Sequence, residues 1–357
     1  MPSALDDEPQ SIAIVRLRTG LGDLLCTLPA LRALRRRLPR AYIALVTYPE
    51  MAEVAGRMRP WVDELIGFPG YPGIPERPPR RAQIAPFFQA ARERRFDLAL
   101  QMYGASRAAV EVTARIGARH TGGFLAHGDP APEAAAWIPY PEHEHEIRRH
   151  LRLMGHLGAE SSDEALAFPI RPGEAGPPVP GPYALLHPGA TSPSRRWPTQ
   201  RFAAVGDALA ARGLRVAVIG TPDEHETAGS VAAAMRAPCL DLCGRTDLGA
   251  LAALLHRAAL LVGNDSGPAH LAAAVGTPSV TIFLSGDPVR WAHDPARHRV
   301  ARVQVECNPC PHLSCPIDHR CASGVTVAQV LAEARAVLGR RHRMSACVST
   351  SAGSAST

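Results

Sequence analysis

SIAIVRLRTGLGDLLCTLPALRALRRRLPRAYIALVT, Ser11–Thr47, decides the fold. Its first seven residues, Ser11 to Leu17, are short, apolar and β-branched and run into a glycine turn, the pattern of a buried parallel strand. After Thr19-Gly20-Leu21-Gly22-Asp23, apolar residues fall at Leu24, Leu25, Leu28, Leu31, Leu34 and Leu38. That spacing predicts one helix over 24–38, with Arg32, Arg35, Arg36 and Arg37 on its wet side. Tyr42–Thr47 is the next strand. Strand, turn, helix, strand is the opening of a Rossmann-like half.

Further along, Phe96–Met102 repeats the strand signal, proline and glycine thin out regular structure over 67–79 and 122–141, and Ile147–Leu157 reads as an amphipathic helix. Six prolines and three glycines in Pro169–Pro182 mark a linker. A second series follows it: strands at Tyr183–Leu186, Arg215–Ile219, Leu260–Val262 and Ser279–Phe283, helices at Gln200–Arg212, Leu248–His256, Pro268–Val275 and Val325–Leu338. The expected organisation is α/β: a Rossmann-like domain over 1–170, a linker over 171–182, a second Rossmann-like domain over 183–339, and a Ser/Ala-rich disordered tail over 340–357. A cleft between two such domains is the expected ligand site, since open α/β sheets bind outside the carboxyl ends of their strands.

Composition narrows the partners. The 357 residues carry a net charge of +6, and all 39 basic residues are Arg. Any cation that meets a phosphate here must therefore be a guanidinium. The mild excess suggests anionic small ligands and no nucleic-acid partner, which would call for one long basic stripe. No apolar run reaches the length of a membrane span, and the acidic start Asp6-Asp7-Glu8 has the wrong sign for a leader, so a cytoplasmic location is expected. The Arg32–Arg37 face is either a solvated surface or a contact for anionic headgroups at the inner membrane face.

Three strand-to-helix turns carry the chemistry. In the first, Gly20 and Gly22 allow close backbone approach, and Asp23 is either a helix N-cap or a carboxylate available as general base. The second, His187-Pro188-Gly189-Ala190-Thr191, continues through Ser192, Ser194, Arg195 and Arg196 to a helix start; hydroxyls, forked cations and a helix N-terminus suit a phosphate, and a solvated loop is the alternative. His187 alone decides nothing. The third, Gly263-Asn264-Asp265-Ser266-Gly267-Pro268-Ala269-His270, follows a buried strand, with Pro268 in the first helical turn and backbone N–H groups near Ser266 and Gly267 facing an anion.

GLGDLLCTLPALRALRRRLP, LLHPGATSPSRRWPTQRF, VIGTPDEHE and LLVGNDSGPAHLAAAVGTP together resemble family 9 glycosyltransferases, the ADP-heptose:lipopolysaccharide heptosyltransferase family, in order from about Ser11 to Leu338. The resemblance implies a GT-B fold, with two Rossmann-like domains facing each other across a cleft. It further implies inverting, metal-independent sugar transfer with no required cofactor, from a nucleotide-sugar donor on the C-terminal side to a lipid-linked oligosaccharide acceptor on the N-terminal side. Position by position, it makes Asp23 the base, with Thr19 and Gly22 on the acceptor side. It puts Thr191 and Ser192 in the phosphate loop, and Arg195 where the family usually has a diphosphate-binding Lys. It makes Glu224 a ribose-binding acid, places Thr246 near the nucleobase, and forms the diphosphate turn from Asp265, Ser266, Gly267 and His270. Arg18-Thr19-Gly20 departs from the Ser or Thr often found just before Gly22, which bears on acceptor contacts. A nucleotide-sugar epimerase or hydrolase and a non-catalytic nucleotide-binding module remain as other functions for these residues.

Cys307, Cys310, Cys315 and Cys321, with His312 and His319 among them, are spaced too loosely for paired C-x2-C zinc knuckles. A structural zinc, local disulfides and reduced thiols are all open for them. Cys26, Cys239 and Cys243 are expected as small buried hydrophobes.

Overall fold

The computed structural model describes residues 5–132 and 136–351, with side chains to residue 339. The chain divides into two compact units between Leu166 and Ala167, four residues before the boundary expected at 170.

The first unit is built on a six-stranded parallel sheet: β1 (Ser11–Val15), β2 (Tyr42–Thr47), β3 (Glu64–Gly67), β4 (Leu98–Gln101), β5 (His120–Leu125) and β6 (Trp137–Pro139), in spatial order β3-β2-β1-β4-β5-β6. Ile12 pairs with Ile43 on one side and Leu98 on the other. The second unit repeats the plan with β7 (Tyr183–His187), β8 (Arg215–Val218), β9 (Cys239–Asp241), β10 (Leu260–Asn264), β11 (Ser279–Ile282) and β12 (His298–Ala301), in order β12-β11-β10-β7-β8-β9. Counted from its own first strand, each sheet has the order of a dinucleotide-binding Rossmann sheet, reversing between its first and fourth strands. Apart from half-buried Ser11 at the start of β1, the central strands of both are buried throughout, as parallel strands covered on both faces must be. The switch points lie beside β1 and β4 in the first unit and beside β7 and β10 in the second.

Several expectations change. The helix over 24–38 is two helices, Leu21–Leu25 and Leu28–Arg37. Pro29 has no N–H to give and would clash inside a continuous helix, so it opens the second one. Strand β6 and all but the first two residues of β5 lie within the stretch 122–141 read as irregular. Glycine there permits close strand approach rather than breaking the strand: a Cβ on Gly123 (φ +135°) would stand 2.2 Å from the Gln101 carbonyl. The final helix, Val327–Ser351, runs past residue 339 into the expected tail, through helix-favouring Arg, Met and Ala. Residues 352–357 lie outside the described residues.

The arginines of Leu28–Arg37 are held within their unit. Arg32 pairs with Asp163 (3.1 Å), Arg35 with Asp63 (2.6 Å), Arg36 with Ser161 Oγ (2.6 Å) and Arg37 with the Leu5 carbonyl (3.2 Å). Arg36 is exposed and Arg32, Arg35 and Arg37 are half-buried, so this face meets solvent while its guanidiniums are tied to neighbouring groups. Among the described residues no helix is long and apolar enough to cross a membrane.

Candidate active site

Each unit carries a polar constellation at its own switch point. In the first, the chain leaves β1 through Arg16, a guanidinium set between Val15 and Leu17, with all three side chains inaccessible to solvent. Burying a charge is tolerable only with partners on several sides. Arg16 Nη1 donates to the Met102 carbonyl (2.6 Å), at the end of β4. Arg16 Nη2 donates to the Asp23 carbonyl (2.9 Å) and to Glu146 Oε1 (2.9 Å), and lies 3.4 Å from Asp23 Oδ1. Glu146 opens the helix Glu146–His156 and also faces Arg149 (3.3 Å) and His150 (3.7 Å), at helical spacings of three and four. Burial first, then the Arg16 charge, pulls His150 down to about 3, so this imidazole is neutral.

Asp23 is not the cap of its helix. Gly20 holds that position, and Asp23 sits in the first turn with its side chain 22% exposed. Its Oδ1 faces Arg16 and Arg18 Nε (3.6 Å). A Cβ on residue 20 would stand 2.3 Å from its Oδ2, so glycine there leaves the carboxylate room to take this position. Arg18 also reaches Glu76 (3.3 Å) and stacks 4.4 Å over the Tyr103 ring, whose hydroxyl donates to Glu76. Burial lowers the Arg18 pKa, but Asp23, Tyr103 and Glu76 outweigh it and the net direction is up. Thr19 and Gly22 flank this carboxylate in the same turn, Gly22 buried and Thr19 half-buried.

In the second unit three turns converge on His187, the last residue of β7. Its Nδ1 meets Ser266 Oγ (3.1 Å) after β10, and its Nε2 meets Glu224 Oε2 (3.3 Å) after β8. Glu224 also accepts from the Thr221 backbone N–H (2.8 Å). Burial would raise its pKa; His187 and the Thr221 N–H overcome that and bring it down to about 2. A Cβ on Gly189 would stand 1.9 Å from Glu224 Oε1. Asn264 ties the turns together, accepting from Trp197 N (3.1 Å) and donating to the Pro188 carbonyl (2.7 Å). Arg195 Nη1 lies 3.3 Å from the buried Asp265 Oδ2, and Arg195 is 39% exposed. Ser266 is the N-cap residue of the helix Gly267–Ala274 but makes no side-chain cap bond; its carbonyl accepts from Ala269 N (3.1 Å), and Pro268 in the first turn has no N–H to satisfy.

Arg195, Glu224, Asp265, Ser266 and Gly267 are thus gathered at the carboxyl ends of β7, β8 and β10. Thr191 is exposed on the loop after β7. Ser192 hydrogen-bonds with its Oγ to the Leu313 carbonyl (2.9 Å), so that proton is committed inside the protein. Thr246 sits half-buried in the loop after β9. His270 Nδ1 meets His293 Nε2 at 2.8 Å and its ring lies edge-on to Trp291, so this side of the imidazole is taken up within the unit.

The thiols of Cys307, Cys310, Cys315 and Cys321 are free, and among the described residues no three His, Cys, Asp or Glu side chains group to hold a metal ion. Cys26 and Cys243 are buried as expected, whereas Cys239 is only half-buried.

The family model for Glycosyltransferase family 9 (heptosyltransferase) matches residues 84–320. The chain belongs to glycosyltransferase family 9. Among curated proteins it is similar to lipopolysaccharide heptosyltransferase 3 of Escherichia coli, 37% identical over 112 residues that cover 30% of this chain and 33% of that protein. The matched stretch therefore spans about a third of that relative. Among solved structures, a family 9 glycosyl transferase from Veillonella parvula DSM 2008 aligns with TM-score 0.74 and 22% identity, covering 93% of this chain and 97% of that one. E. coli ADP-heptose lps heptosyltransferase II aligns with TM-score 0.72 and 22% identity, covering 93% and 99%. Both likenesses speak for the GT-B fold of two Rossmann-like units.

The sequence reading missed Arg16, Glu76, Tyr103, Glu146, Arg149 and His150. Two signals were available: a charge inside an otherwise apolar strand end, and Glu146, Arg149 and His150 on one face of a helix whose apolar positions, Ile147, Leu151 and Met154, are buried too.

Proposed function

We propose that this protein is an inverting, metal-independent glycosyltransferase that moves heptose from an ADP-linked donor to a lipopolysaccharide core acceptor. The observation that carries the reading is the chemistry at the two switch points. A partly exposed carboxylate sits at one. At the other, an arginine, a serine and a helix start stand together, as a diphosphate requires.

In this reading Asp23 takes the proton from the acceptor hydroxyl as its oxygen attacks the anomeric carbon. The bond from that carbon to the diphosphate breaks, its electron pair leaves with the nucleoside diphosphate, and the configuration inverts. Arg195 and the N–H groups of Ser266 and Gly267 meet the charge that develops on the leaving group. Glu224 takes the ribose hydroxyls, Thr191 and Ser192 border the phosphates, and Thr246 lines the base. Heptose and ADP follow from the similarity to lipopolysaccharide heptosyltransferase 3 and to ADP-heptose lps heptosyltransferase II. A lipid-linked acceptor would be met at the inner face of the cytoplasmic membrane by a cytoplasmic protein.

The test is a binding series with ADP, UDP, GDP and adenosine, followed by mass spectrometry of products formed from ADP-heptose and deacylated core acceptors. ADP should bind best, and Arg195→Ala should weaken ADP by about tenfold or more while leaving adenosine unchanged. UDP or GDP binding best would overturn the donor. Donor consumption at the same rate without acceptor would turn the reading to a hydrolase.

A further inference from the structure

The residue before Arg195 is held by the cysteine-rich segment through every polar atom it has. Ser194 N donates to the Leu313 carbonyl (2.9 Å), its Oγ donates to the His312 carbonyl (2.7 Å), and its own carbonyl accepts from His319 Nε2 (2.9 Å). Ser194 is 2% exposed, so water does not substitute for these partners. Ser192 Oγ adds a bond to the Leu313 carbonyl, and Ser285, which contacts Ser194 Oγ at 2.9 Å, accepts from Cys310 N at its own carbonyl (2.9 Å). The segment thus grips the short turn Pro193–Arg195 from both flanks.

His319 supplies the one side chain among the three groups of the segment that hold Ser194; the other two are carbonyls any residue would offer. A carbonyl only accepts, so His319 Nε2 carries the proton. The ring is aimed by its backbone, which stands in the left-handed region (φ +51°) and donates its N–H to Cys315 Sγ (3.3 Å). From Cys315 to His319 to Ser194 the contacts lead to Arg195, whose guanidinium then meets Asp265.

We propose that the cysteine-rich segment 307–319 is a strap on the 192–195 turn, and that His319 is a positioning residue setting where Arg195 presents its charge to a nucleoside diphosphate. The inference rests on the donor reading above for what Arg195 meets. It gives the segment a role that needs neither a metal nor a disulfide, since its grip is made by two carbonyls and one imidazole.

Two substitutions separate reach from backbone preference. Asparagine suits a left-handed residue but is too short to place an N–H where Nε2 stands; glutamine reaches that place but suits the backbone less. His319→Asn is expected to raise the dissociation constant for ADP about tenfold, the scale of one lost buried hydrogen bond, and to leave adenosine unchanged. His319→Gln should stay within about threefold of the parent for ADP. Amide exchange of the 192–196 backbone in the unliganded protein should quicken in the Asn variant and not in the Gln variant. ADP binding by His319→Asn equal to the parent's overturns the proposal, as does equal weakening of ADP and adenosine, the mark of a merely structural role. If the parent itself does not prefer ADP to adenosine, the donor reading falls. The exchange comparison then decides the strap by itself, and equal exchange in both variants overturns it.

Discussion

Arg16 Nη2 and Glu146 Oε1 lie 2.9 Å apart, with neither side chain more than 1% exposed. The pair joins residues 130 positions apart and leaves Asp23, which faces the same Nη2, partly open to solvent. Glu146→Gln keeps the shape and removes the charge. Arg16 and Arg149 then remain buried with one carboxylate fewer, a loss of about 3 kcal/mol by analogy with other broken buried pairs. Denaturant unfolding should show that loss, and turnover should fall with it, because the Nη2 that faces Asp23 loses the carboxylate that holds it in place. Unchanged stability would mean that water or Asp23 already neutralises Arg16.

Gly20 tests the placement of Asp23 without touching its chemistry. A Cβ at residue 20 would stand 2.3 Å from Asp23 Oδ2, while the backbone there (φ −80°) accepts alanine freely. Gly20→Ala should therefore push the carboxylate aside with little change in melting temperature. Turnover should drop by about 10²-fold, as expected for Asp23→Asn, which removes a general base outright. ADP affinity, a property of the second unit, should be unaffected by either. Normal turnover in Gly20→Ala would show that Asp23 works from another rotamer.

The alternation of short buried strands with helices made β1, β2 and β4 of the first sheet and β7, β8, β10 and β11 of the second readable, with the glycine turns beside both switch points; the outer strands β3, β5, β6, β9 and β12 were not read. What escaped was whatever depended on contacts across long stretches of chain. Glycines at 122 and 123 looked like breakers because only the neighbouring strand shows that they admit a close approach. The Ser194 grip could not be read because two of its three partners are main-chain carbonyls, which carry no residue signature. Arg16 was written into the strand end, yet its meaning needed Glu146. Asp23 as cap or base was undecidable by position, and the cap falls away only because Gly20 occupies it.

Acid should destabilise the fold early. His150, at about 3, and His298, pulled down to about 4 mainly by burial, are both neutral when folded, whereas an unfolded histidine protonates near pH 6.5. Their depressed values mean that the unfolded chain binds more protons, so stability is full above about pH 6.5 and falls as pH drops below it. Each contributes about 1.4 kcal/mol per pH unit in that window. Glu224, at about 2, adds a further loss as pH falls below the usual carboxylate value of about 4.5. His150→Leu should reduce the slope between pH 6.5 and 4 by about one group's share. A slope unchanged in that variant would place a charged imidazole beside Arg16 in the folded state.

Chelation separates the two ways a diphosphate can be neutralised. Arg195 is fixed near the helix start at Gly267 by Asp265 and by the strapped turn, and a guanidinium offers two forked donors to phosphate oxygens. With that cation and the N–H groups of Ser266 and Gly267 at the helix start, ADP should bind equally well in EDTA and in excess Mg²⁺, and sugar transfer should persist in EDTA. A tenfold gain in ADP affinity with Mg²⁺, or transfer lost on chelation and restored by Mg²⁺ or Mn²⁺, would put a divalent ion in the donor site. The cysteine segment makes a different prediction in the same experiment. Its thiols are free and its hold on Ser194 is made by oxygen and imidazole, so EDTA should leave the melting temperature where it was. A fall in melting temperature that Zn²⁺ reverses would instead make those thiols ligands whose metal contributes to folding.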